Sequence, residues 1–205
     1  MRNLCRLLIA LAAVAAVAVA VAFYGLIQHG VSARDEPTTA EAFVARRLRH
    51  LAVPRAGREA ANPVPSGPEV LARARAHFAD HCASCHGNDG RGRTKMGQGL
   101  YPKAPDMTSP ETQNLSDGEI LHIIENGVRL TGMPAWGEAG SHDLTESWEL
   151  VHFIRHLPKL TPEELAQMES LNPKSRKEFD EEEQIRRFLA GEDVKPSAGS
   201  ESHDH

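Results

Sequence analysis

Two thiols and an imidazole stand together at Cys82-Ala83-Ser84-Cys85-His86. Cysteines at this spacing serve thiol–disulfide exchange, zinc ligation or the covalent attachment of haem. Three positions apart on one helical turn, the two sulfurs point the same way and can each bond a haem vinyl group. The adjoining histidine then faces the iron from the same side, which favours haem attachment over the other two chemistries. A thioredoxin-like enzyme would also need a strand–helix alternation that this sequence lacks. His86 is the expected proximal ligand of the haem iron, since it alone among the 11 histidines is fixed beside both cysteines.

The opposite axial position needs another donor. Of the five methionines, Met1 is the start and Met168 falls in a charged helix beyond the domain. Met96 and Met107 lie in the loops after the cysteine motif. Met133 sits in Gly132-Met133-Pro134-Ala135-Trp136, between two helical patterns and before a proline that stiffens the loop. A thioether is a soft donor that raises the haem potential relative to bis-histidine ligation. Met133 is the expected sixth ligand, with Met96 and Met107 as its rivals. His77, His81, His122, His152 and His156 read as surface or partly buried helix residues, and His203 and His205 as part of a tail.

The elements that must position these residues are all helical, so the fold class is all-α. Leu71, Ala74 and Phe78 recur at helical spacing and lead into Cys82. The segments 87–99 and 101–110 are rich in glycine, polar residues and proline and read as loops, in which Asn88 and Asp89 form turns. Ser116 and Glu119 make a capping box ahead of a stripe of Ile120, Ile123 and Ile124, and Gly127 stops that helix. Thr145 caps a helix with Leu150, Phe153, Ile154 and Leu157 on its inner face, ended by Pro158. Thr161-Pro162-Glu163-Glu164 is a further capping box with proline at the first helical position. A charged helix over 174–189 and a small polar tail from Gly191, expected to be disordered, complete the chain. Some ninety residues between Pro68 and Pro158 can bury only a limited core, so a haem would supply much of it.

Residues 7–27 form an uncharged apolar run of about 31 Å as a helix, enough to cross a bilayer. Arg2 and Arg6 precede it, whereas Asp35 and Glu36 follow it with Arg34, which places the N-terminus in the cytoplasm and the remainder outside. The run is longer than the apolar core of a signal peptide, so a retained anchor is expected, although Val31-Ser32-Ala33 has the small residues of a cleavage site. Cys5 precedes the run, on the wrong side for lipoprotein modification. Setting aside Arg2 and Arg6 leaves 21 of the 23 basic residues against 28 acidic ones, a net of −7 for the rest of the chain. No basic stripe suited to nucleic acid is present, and an acidic surface can steer encounters with a basic redox partner. Between the anchor and Pro68, residues 39–51 pattern as a short helix that could meet the membrane or the domain. The prolines and glycines from Pro54 to Pro68 then predict a semi-stiff tether.

With the motifs laid out, residues 68–158 resemble a class I c-type cytochrome of the small mono-haem type found in subunit III of cbb3 oxidases. The resemblance rests on Cys82-Ala83-Ser84-Cys85-His86-Gly87, on Gly132-Met133-Pro134-Ala135-Trp136 and on the helix ending at Leu157-Pro158. It implies a cytochrome c fold around one covalent haem c, with Cys82 and Cys85 as thioether partners and His86 and Met133 on the iron. It also implies that the carbonyl of Pro105 accepts the ring N–H of His86, and that Trp136 lies at the haem edge. Tyr101 and Arg129 are generic candidates for the haem propionates. The segments expected are a cytoplasmic 1–6, an anchor 7–27, a periplasmic spacer 28–67, a cytochrome domain 68–158, a helical extension 159–190 and a tail 191–205. The function implied is single-electron transfer between redox proteins at the inner membrane, by a carrier and not an enzyme. The alternative is a haem-bearing relay subunit of a larger oxidoreductase.

Overall fold

The computed structural model describes residues 2–29, 32–137, 140, 143–174 and 176–190. Val31 of the cleavage-site pattern and the tail 191–205 lie outside them. Among the described residues every regular element is helical and none is a strand. Helix α1, Arg2–His29, extends past both ends of the apolar run. Its stretch Arg2–Gly25 is long and apolar enough to cross a membrane, and none of it is buried against the rest of the protein.

The cysteine motif ends a rod that starts with α3, Pro68–His77, whose proline occupies the first turn. The rod widens into a π turn at Phe78–Cys82 and tightens again over Ala83–His86. Such wide turns interrupt helices at functional sites; here the interruption falls between the buried residues Ala74 and Ala83 and carries Cys82 at its end.

Helix α4, Asp117–Asn126, opens with the predicted capping box: the Glu119 amide donates to Ser116 Oγ (3.1 Å) and the Ser116 amide to Glu119 Oε2 (2.9 Å). Helix α5, Thr145–His156, starts differently from the prediction. Thr145 is its first residue and not its cap, and its amide donates to Asp143 Oδ1 (3.0 Å). Pro158 does not end the helix abruptly, because the chain continues through a 3-10 turn, Leu157–Lys159. The second predicted box, Thr161 with Glu164, opens α6, Pro162–Glu169, and α7 spans Arg176–Leu189.

α3 and α5 pack through Phe78 and Phe153, both fully buried, with ring centroids 5.1 Å apart and planes 54° from parallel. Ile120, Leu121 and Ile124 of α4 close the core, joined by Met107, Trp148, Leu150, Val151, Ile154 and Leu157. Ile123, expected in that stripe, is half-buried, and Leu121 takes its place. Met168, expected to lie beyond the domain, is fully buried in the same cluster. Arg155 ties α5 to the start of α4 through Asp117 Oδ1 (2.8 Å) and the carbonyl of Gln113 (2.7 Å). Truncating Phe153 to alanine removes an aromatic ring from the centre of this core. The expected cost is about 3–5 kcal/mol, read as a lower urea midpoint with an unchanged slope.

The stretch expected to be a semi-stiff tether is instead a strap across α4 and α5. Val53 is buried at 2% exposure, and Ala60 and Val64 pack on the core. Asn62 Nδ2 donates to the Trp148 carbonyl (2.8 Å), and His152 Nε2 donates to the Val64 carbonyl (2.7 Å). Gly57 and Gly118 touch through their backbones: a Cβ on Gly118 would stand 1.8 Å from the Gly57 carbonyl oxygen. Proline stiffens such a segment but leaves its carbonyls and apolar side chains free to dock. Helix α2, Thr39–Ala52, precedes the strap, and its capping box uses Thr38 and Glu41.

Buried Glu119 closes this region by bonding His50 Nδ1 (2.6 Å) in addition to the Ser116 amide. Burial acts to raise its carboxyl pKa, but the Ser116 amide and His50 outweigh it and hold the group below the usual glutamate value. Glu164 is likewise held low against its burial by Thr161, His156 and Arg75. A depressed carboxylate contributes stability that is complete above the unfolded pKa, about 4.3, and is lost as pH falls through the folded value. Stability measured by urea titration is therefore expected to hold through neutral pH and to fall below about pH 4. Glu119→Gln should lower the pH 7 stability by about 1–3 kcal/mol and flatten the acid limb.

Candidate functional site

Cys82 and Cys85 are both free thiols, half-buried at the end of the rod. Burial, and then the neighbouring Cys85, push the Cys82 thiol up to about 12. Exchange chemistry and zinc ligation use a thiolate favoured by a lowered pKa, and this environment does the reverse. Nor do the described residues contain any group of three or more His, Cys, Asp or Glu side chains arranged to hold a metal ion. Burial also holds the His86 ring below its usual pKa. The imidazole is thus neutral at physiological pH and keeps a lone pair to give to a metal centre. Its Nδ1 is buried with no hydrogen-bond partner among the described residues.

After His86 the chain folds back on the rod. The Gly92 amide donates to the His86 carbonyl (2.7 Å), and Thr94 Oγ1 donates to the Cys85 carbonyl (2.9 Å). Thr94 also accepts from the Gly97 amide (2.9 Å), capping a single turn over Lys95–Gln98 that rests against the Cys85 carbonyl. Pro105 belongs to the same loop, with its carbonyl beside Gly92. The bond expected from the His86 ring to that carbonyl is not formed. The loop engages the main chain of Cys85 and His86 and leaves Nδ1 unpartnered.

The Met133 loop is held from the end of α4. Gly127 adopts a φ of 62°, and a Cβ there would lie 2.5 Å from the Pro134 carbonyl carbon, so glycine is required twice over. The Val128 amide donates to the Met133 carbonyl (3.1 Å), and the Met133 amide donates to Thr131 Oγ1 (3.1 Å). Beyond it, the amides of Trp136 and Gly137 donate to the carbonyls of Ile124 (3.0 Å) and Glu125 (3.1 Å). Met133 is therefore fixed along its main chain while its side chain stays half-exposed. Its rivals fare differently: Met107 is packed in the core, and Met96 projects outward at 58% exposure.

The two motifs, far apart in sequence, meet through aromatic rings. Trp136 stands edge-on to His81, the residue before Cys82, with centroids 5.6 Å apart and planes at 87°. Trp136 remains 41% exposed, whereas the tryptophan used for core packing is Trp148. Leu100 packs on Gly132 and completes the link between the two loops. His81, Thr94 and Leu100 are site-building residues that the sequence does not single out; the glycines at 97, which meets the Cys85 carbonyl, and 132, which meets the Leu100 side chain, are the available signal. Tyr101, a candidate propionate partner, donates its hydroxyl to Glu41 Oε1 of α2 (2.6 Å), and Arg129 is exposed.

Two thiols on one turn, Cys82 buried against ionisation, a neutral imidazole next to them and a thioether on a loop held along its main chain fit a covalently held haem better than a thiol redox or zinc centre. Residues 69–154 match the family described as cytochrome c oxidase, cbb3-type, subunit III. No curated protein matches the chain.

Proposed function

Starting from residues 69–154 as a class I c-type cytochrome domain, whose family carries covalent haem c and works in electron transfer, we propose that this protein carries one haem and passes single electrons between redox proteins at a membrane. Cys82 and Cys85 would hold the group as thioethers, and His86 and Met133 would be its axial ligands. When bound, the haem supplies reversible one-electron chemistry at its iron, with a potential set by axial ligands and burial. The chain's own part is to keep the His86 ring neutral, to hold the Met133 main chain from both sides and to shield Cys82 by burial. With His86 and Met133 both holding the iron, no site would be left on it for oxygen or peroxide, which suits a carrier and not an enzyme. The observation that carries this reading is the contact of Trp136 with His81, which seats the methionine motif on the helix that ends in Cys82-Ala83-Ser84-Cys85-His86. Pro105 and Trp136 are placed in this reading as neighbours of the group, Trp136 at its exposed edge.

Helix α1 would anchor the protein in the inner membrane by a single pass, with the haem domain in the periplasm; Arg2 and Arg6 ahead of the apolar run support that orientation. Mass spectrometry tests both parts. The intact protein is expected to retain residues 1–33 and to exceed its sequence mass by a single haem, located on the peptide with Cys82 and Cys85. The family name is that of an oxidase subunit, which favours one second reading, a relay subunit within a larger complex. Purification as a monomer from mild detergent would count against it.

A further inference from the structure

Helix α2 has two faces with different fates. One, with Ala42, Arg49 and the following Val53, turns to the domain, where Val53 is buried and Arg49 lies near Glu119. The helix is fastened there by His50 to Glu119 (2.6 Å), by Tyr101 to Glu41 (2.6 Å) and by Arg58, which donates to the carbonyls of His50 (2.9 Å) and Val53 (2.8 Å). Just ahead of it, Lys103 pairs with Glu36. The opposite face is apolar and uncovered: Phe43, Val44, Leu48 and Leu51 are between 53% and 70% exposed. A soluble domain that has clamped a helix in place would ordinarily turn its leucines inward; this one holds them out.

Three features of the chain say what covers that face. Only residues 30–38 separate α1 from α2, a reach of about 30 Å when fully extended, so the face stays near whatever α1 enters. Helix α2 holds three arginines, Arg46, Arg47 and Arg49, against one carboxylate, Glu41, in a chain of net charge −5. Arg46 and Arg47 of these are exposed, and the Arg47 guanidinium lies 5.5 Å above the Phe43 ring, at the edge of the apolar face. An apolar stripe of Phe, Val and Leu bordered by arginine is the pattern of a helix that lies in a bilayer interface beside anionic headgroups. We propose that α2 lies on the membrane surface with Phe43, Val44, Leu48 and Leu51 in the lipid, and that its polar ties clamp the cytochrome domain at a fixed attitude to the bilayer. Tyr101, one of those ties, adjoins Leu100, which packs on Gly132 beside Met133. The Met133 loop thus rides on the element that meets the membrane, which suits exchange with partners embedded there.

The proposal rests on reading α1 as an anchor, and one set of labels separates the two. The full-length haem protein, in a Cys5→Ala background, is placed in nanodiscs of phosphatidylethanolamine and phosphatidylglycerol. Nitroxides are attached through Val14→Cys, Leu48→Cys, Leu51→Cys or Glu163→Cys. Collision rates are then compared for oxygen, which concentrates in lipid, and for a water-soluble nickel chelate. At 48 and 51 oxygen is expected to exceed nickel several-fold, with the order reversed at 163. A label at 48 as open to nickel as the one at 163 overturns the proposal, whether or not the label at 14 is lipid-buried. Only a water-exposed label at 14 overturns the anchor. A label at 48 shielded from both reagents also overturns the proposal, since protein would then cover the face; lipid contact at 48 supports the proposal, and the label at 14 decides the anchor alone.

Discussion

Met133→Ala is expected to leave haem on Cys82 and Cys85 while opening one side of the iron. Covalent attachment depends only on the two thiols, so the purified variant should carry as much haem as the unmodified protein. The loop should also survive, because it is held by main-chain bonds from Val128, Trp136 and Gly137 and by the closeness of Gly127 to Pro134. The thioether is what disappears. Loss of a donor that favours the ferrous state lowers the reduction potential, here by on the order of 0.1 V within the roughly 0.8 V range that axial ligation spans. The reduced variant should bind carbon monoxide readily, and the unmodified protein should not. A Met133→Ala protein with an unperturbed low-spin spectrum would remove this residue from the iron. Met96, the exposed methionine on the turn beside Cys85, would then be the residue to substitute next.

Replacing both Cys82 and Cys85 by alanine is expected to abolish covalent haem and to destabilise the domain unevenly. The helical core of α3, α4 and α5 has its own packing, centred on Phe78 and Phe153. By contrast, the segments 87–110 and 128–137 place only one large apolar side chain, that of Met107, in that core. The first rests on the rod through the close approach of Gly97 to the Cys85 carbonyl, the second on the end of α4 at Gly127, and the two meet where the Leu100 side chain packs on Gly132. Loss of a tightly held group lowers stability by about 4 kcal/mol for a ligand at a thousand times its Kd, and more for a covalent one. Helical circular dichroism should largely persist, thermal unfolding should start earlier, and limited proteolysis should cut first within 87–110 and 128–137. A double variant that melts and digests like the haem protein would show that these loops do not depend on the group.

Local features were the legible ones. The capping boxes at Ser116–Glu119 and Thr161–Glu164 are written within four residues, and the inner face of α5 within one helical period, so pattern alone locates them; in α4 the pattern finds Ile120 and Ile124 but puts Ile123 where Leu121 is buried. The thiols and His86 were equally plain, being adjacent. What escaped depended on partners far away in the chain. The strap from Val53 to Val64 looks like a tether until Trp148, His152 and Gly118 are brought beside it. Met168 looks external until α6 folds back onto the core. The π turn at Phe78–Cys82 has no marker in hydrophobic spacing, since its apolar residues fit an ordinary helix. Thr145 fits the residue type of a cap, but its amide is served by Asp143 Oδ1, two residues upstream, and it becomes the first residue of the helix. Pro105 was placed on His86 by resemblance, whereas the loop bonds the main chain next to the ring.

The proposed electron-transfer role requires sulfur from Met133 to face His86 across one haem iron, and the absorption spectrum of the oxidised full-length protein tests this most directly. A low-spin spectrum with a weak sulfur-to-iron charge-transfer band at its red end, lost in Met133→Ala, is the predicted result. An oxidised spectrum that lacks this band, or one that keeps it in Met133→Ala, would contradict the assignment.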